Sequence, residues 1–111
     1  MSVPTGPVAP GTSFTVEATF VDANGNTVNQ PITWASSDDT VLTVTGDGAS
    51  GVSTATCTVD PNAADGATAS GTATGTNVDG STVATGSNNP FTITVQVTAP
   101  PPDLGVAVNI V

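Results

Sequence analysis

Residues 13–21, SFTVEATFV, decide the fold class. Phe14, Val16, Ala18 and Phe20 fall on one face of an extended chain, and Thr15, Glu17, Thr19 and Val21 on the other. A strict period of two is the signature of a strand with one face buried and one wet. The same alternation returns at residues 91–97, FTITVQV, with Phe91, Ile93, Val95 and Val97 expected inward and Thr92, Thr94 and Gln96 outward. Between these two segments lie shorter candidates: PITWAS with Ile32 and Trp34, TVLTV around Val41 to Val44, STATCTV with Ala55, Cys57 and Val59, and ATASGTATGT with Ala67, Ala69 and Ala73. Gly71 and Gly75 supply no side chain to the last of these, which is expected to lean on its neighbours.

Turn chemistry punctuates the strands. Asn24-Gly25, Asp47-Gly48, Asp65-Gly66 and Asp79-Gly80 each offer the positive φ that tight turns require. Abundant Thr and Val suit a pleated surface, while 12 Gly and 9 Pro disfavour helices. Several short strands at this spacing predict an all-β sandwich. Only 4% of the 111 residues are aromatic, so the core anchors are expected to be Phe14, Phe20, Trp34 and Phe91. Residues 1–10 read as a Pro-rich segment or first edge strand, 11–98 as the sandwich, and 99–111 as a Pro-rich spacer followed by a terminal β-arm.

The charge is all of one sign. Nine acidic residues stand against no Lys, Arg or His, a formal charge of −9. Nucleic-acid binding needs cations that neutralise phosphate, and anionic membranes need them too, so neither partner is expected. An acidic surface keeps crowded copies soluble, meets a basic partner or binds divalent cations. Cys57 is the single cysteine, which excludes an internal disulfide. The N-terminus, MSVPTGPVAPG, has neither a basic segment nor an apolar core of the signal-peptide kind, so synthesis in the cytosol is expected.

The stretch FTVEATFVDANGNTVNQPITWASSDDTVLTV, residues 14–44, resembles a bacterial immunoglobulin-like (Big) domain of the invasin and intimin type. The match consists of a strand ending in Asp-Ala-Asn-Gly-Asn, a Val, and a Thr-Trp-Ala-Ser-Ser-Asp segment leading into a Val-rich strand. The resemblance implies an immunoglobulin-like β-sandwich of about seven strands, with Trp34 packed between the sheets, and a disulfide-free fold in keeping with an unpaired Cys57. Such domains occur as tandem spacers in adhesins and also on the virion proteins of tailed phages. A single copy with a terminal tail departs from the tandem adhesin pattern.

Catalysis is not expected. General acid-base and nucleophilic chemistry draw mostly on His, Lys, Tyr or an activated Cys, and the chain has no His, Lys or Tyr. Glu17 sits mid-strand and the aspartates mostly occupy turns. Cys57 alternates with Ala55 and Val59, so it reads as a small buried hydrophobe with no cation to activate it. No cofactor is expected. Asp22, Asn24 and Asn26, at i, i+2 and i+4, with Asp38-Asp39 nearby, have the oxygen-rich spacing of a calcium loop. The loop lacks a closing Glu, and an Asn-Gly hairpin turn accounts for the same residues.

The chain ends PPPDLGVAVNIV. Pro100, Pro101 and Pro102 favour an extended spacer, and Leu104, Val106, Val108 and Ile110 alternate beyond it as a strand would. Three fates are open to this arm: pairing with another protein's sheet edge, return to its own domain, or fraying. The first is preferred, and it leads to an expectation of function. The chain is read as a non-enzymatic assembly protein at a virion surface, a capsid decoration or head-fibre protein of a phage whose arm engages a capsid protein or sister copies. The alternative is a spacer or adhesion module at a bacterial cell surface.

Overall fold

The structure, a computed structural model, describes residues 3–4, 6–97, 104–106 and 108–110. Among these the chain is all β. The strands are β1 (Val3–Pro4), β2 (Ser13–Phe20), β3 (Ile32–Ser36), β4 (Leu42–Gly46), β5 (Val52–Val59), β6 (Thr68–Thr76), β7 (Thr82–Val83), β8 (Phe91–Thr94), β9 (Leu104–Val106) and β10 (Val108–Ile110).

Two sheets stack into an immunoglobulin-like sandwich. One has the order β10-β2-β5-β4; in the other β6 carries β3 on one edge and shares its opposite edge between β7 and β8. The antiparallel β2-β5-β4 and β3-β6-β8 sets are those of a constant-type immunoglobulin domain. The first-strand position differs. Val8 bridges in parallel to Val95 at the edge of the second sheet, and the place beside β2 is taken by β10, running parallel to it. A small antiparallel ribbon joins β1 to β9.

The period-two faces pack as read. Phe14, Val16, Ala18 and Phe20 are buried, as are Ala55, Cys57, Val59, Phe91, Ile93 and Val95. Phe14 and Phe91 meet edge to face across the sheets with centroids 6.4 Å apart. Trp34 is half-buried against this core. Val97 is a correction: it is 57% exposed. The Gln96 amide still bonds to the Val8 carbonyl at 2.9 Å. The Val97 amide instead donates to Asp65 Oδ1 at 3.0 Å, so the chain has turned out of the sheet.

The glycines of β6 have a definite role. A Cβ at Gly71 would come 2.7 Å from Phe91 Cε1, and one at Gly75 would come 2.7 Å from Phe20 Cζ. The strand read as thin therefore gives up side chains so that two phenyl rings can lie on its backbone. All four Asn-Gly and Asp-Gly corners have glycines at positive φ, between 77° and 87°.

Candidate interaction surface

The terminal arm is the sequence feature on which the expected interaction rests, and in this single chain its last strand lies against its own domain. β10 does not stand free. Val108, Asn109 and Ile110 pair with Ala18, Thr19 and Phe20. Val108 is 1% exposed and Ile110 0%, so both complete the domain's own core. The Val21 amide extends the ladder by donating to the Ile110 carbonyl at 2.9 Å. The physical reason is an edge left open. Because Val8 pairs with the second sheet, unpaired backbone groups on β2 and an apolar notch would face water unless another strand arrived. Burying Val108 and Ile110 contributes roughly 3–6 kcal/mol. Ordering three residues costs roughly 3–6 kcal/mol, so the ladder tips the balance. The Pro100–Pro102 spacer and the side chains of Leu104 and Val106 lie outside what is described.

Charge and polarity are segregated. Asp22, Asp47 and Asp79 follow β2, β4 and β6 at one end of the sandwich, and Asp38, Asp39, Asp60 and Asp65 cluster in sequence around the turns at the other. The sheet faces between carry mostly hydroxyls, with Glu17 of β2 among them. Thr43, Thr58 and Ser13 form one row across β4, β5 and β2, and Thr45, Thr56 and Thr15 the next. Ser13 and Thr58 hydroxyls lie 3.1 Å apart, as do those of Ser70 and Thr92 on the other sheet. A groove of about 320 Å³ between the N-terminal segment and β8 is lined by Pro4, Gly6, Pro7, Thr92 and Thr94.

The suspected calcium ligands form a turn. Asp22 Oδ1 accepts the backbone N–H groups of Asn24 at 2.9 Å and Asn26 at 3.0 Å, while Val21 bridges to Thr27. Asp38 Oδ1 likewise accepts from Thr40 N–H and hydroxyl at 3.0 and 2.6 Å. The Thr40 hydroxyl is the main reason the Asp38 carboxyl is held below its ordinary range. Among the described residues no group of three or more His, Cys, Asp or Glu is placed to hold a metal. Cys57 is fully buried, and desolvation pushes its thiol up to about 12.

Two polar devices escaped the sequence reading. Ser53 is fully buried and receives the Trp34 indole N–H at 2.9 Å, then donates to Asp47 Oδ1 at 2.8 Å. Asp47 also accepts from Ala49 N–H at 2.9 Å and Thr54 N–H at 3.1 Å. The Ala49 amide, then the Ser53 hydroxyl, hold this carboxyl low. The alternation of Ala55, Cys57 and Val59, carried one step back, points Ser53 inward, so the signal was present. Asn89, 7% exposed, pairs with both backbone groups of Ala73, accepting its N–H at 3.0 Å and donating to its carbonyl at 2.8 Å. No local pattern announces that contact.

Searched against known family models, curated proteins and solved structures, the chain matches none.

Proposed function

We propose that this chain is a non-enzymatic structural protein of an assembled particle, a capsid decoration or head-fibre component of a tailed-phage virion, built on a Big-type immunoglobulin-like domain. The observation that carries the reading is the terminal strand: β10 occupies an edge slot beside β2, the kind of site through which sheets join other sheets. The acidic ends and the absence of Lys, Arg and His support it, since a net negative charge repels nucleic acid and keeps dense copies apart in solution. Its partners are then a capsid or other virion protein, copies of itself, or both, and its place is the virion surface.

The test is incorporation. Particles purified from a producing culture should contain the full-length chain in fixed stoichiometry. A chain lacking residues 103–111, first shown to be folded by circular dichroism at the assembly temperature, should be absent from them. Particles without the full-length chain, or with undiminished amounts of the folded truncation, would sink the proposal.

The second reading, a spacer or adhesion module of a bacterial surface protein, draws on a different observation. The chain enters the sandwich at Val8, beside Val95, and reaches Ile110, beside Phe20, at the opposite end. Tandem domains strung end to end need that polarity. Flanking copies of the domain and an upstream export signal in the gene would decide for it.

A further inference from the structure

We infer that the β2 edge is a strand-exchange site whose occupant is the β10 arm of a second copy of this chain. Four observations converge. Among the described residues β10 is the last strand, and its one sheet partner is β2. It presents two buried side chains, Val108 and Ile110, to a slot whose walls belong entirely to the rest of the sandwich. The N-terminal segment, which would fill this position in a constant-type immunoglobulin domain, is committed to the other sheet through Val8, and among the described residues no other strand pairs with this edge of β2. Ten residues, 98–107, separate Val97 from Val108, and three of them are consecutive prolines.

Exchange conserves the β2–β10 contacts and requires the β1–β9 ribbon to open or to re-form between copies. A β10 arm released from one copy makes the same ladder and buries the same two side chains in the next, so the exchanged and unexchanged states differ chiefly in the β1–β9 ribbon and in the entropy of association. Concentration then sets the balance. The contact is heterologous, arm of one copy into slot of the next, so it closes into rings or propagates as chains, according to the angle the connection imposes. The cis-docked arm is, on this view, a cap that keeps dilute monomers from pairing. The inference concerns purified protein and does not depend on which particle or surface the chain serves.

Two full-length variants, Thr19→Cys and Asn109→Cys, test it, because these positions are register partners across the β2–β10 ladder. The buried Cys57 stays unreactive. Mixed at high concentration, held below the melting temperature and then oxidised, they should form T19C–N109C dimers in roughly tenfold or greater excess over T19C–T19C dimers, because docking raises the effective concentration of the partnered thiols. Predominantly monomeric protein, or dimers at the random ratio, would overturn the inference. The double variant T19C/N109C provides the second arm. When dilute it should close within one chain, and when concentrated it should give a ladder of covalent multimers. Intrachain closure at every concentration also overturns exchange.

Discussion

The indole nitrogen of Trp34 donates to the hydroxyl of Ser53 across the two sheets at 2.9 Å. The hydroxyl in turn donates to Asp47, so one serine joins the core tryptophan to a surface carboxylate. Gly46 makes the approach possible, since a Cβ there would lie 2.5 Å from Trp34 Cδ1. Ser53→Ala leaves a half-buried N–H without its acceptor and is expected to cost about 1–3 kcal/mol in urea denaturation. Ser53→Thr, which keeps the hydroxyl, should retain more of that stability if its added methyl is tolerated. An unchanged midpoint in Ser53→Ala would show the relay to be unimportant.

The glycines of β6 are expected to resist enlargement. Gly75→Ala drives a methyl into the Phe20 ring and should destabilise by about 1–3 kcal/mol, typical of overpacking. Gly75→Ala combined with Phe20→Leu should be less damaging than the sum of the two changes, because the ring that clashes has gone. Strict additivity in a double-mutant cycle would contradict the contact.

Ile110 tests the placement of the arm. Ile110→Ala removes a fully buried side chain and is expected to cost about 2–5 kcal/mol. Loss within 0.5 kcal/mol of zero, the range of an exposed site, would mean that the terminal strand does not belong to the core.

Cys57 should report opening of the sandwich. With its thiol raised to about 12 by burial, it should resist iodoacetamide at about pH 8 while the protein is folded and react once urea unfolds it. Fast labelling under native conditions would contradict its burial.

Acid stability follows from the turn aspartates. Asp38, Asp47 and Asp79 are all held below 3.8, Asp38 chiefly by the Thr40 hydroxyl, Asp47 by the Ala49 amide and Asp79 by the Ser81 hydroxyl. A carboxyl depressed in the folded state stabilises fully above its unfolded value and loses that contribution as pH falls through the folded one. The melting temperature should therefore hold or rise as pH drops from 7 toward about 4, while the charge of −9 is relieved, and then fall. Asp47→Asn should lower it at neutral pH and flatten the acid limb.

Period-two alternation is a local property, and local sequence carried what depends on it: strands β2 to β6 and β8, the inward faces of β2, β5 and β8, and the four glycine corners. Charge was equally legible, because nine acidic residues and no Lys, Arg or His are counted from the sequence whatever the fold. The tertiary structure alone decided the rest. Gly71 and Gly75 looked like gaps until Phe91 and Phe20 were seen lying on them. Asn89 has meaning only beside Ala73, sixteen residues away. Val97 continues the alternation yet leaves the sheet, since a strand persists only while a neighbouring ladder does. The terminal arm shows the same principle most clearly. Its apolar alternation announced a strand in need of an edge, but which edge stood open depended on where Val8 paired, far away in sequence.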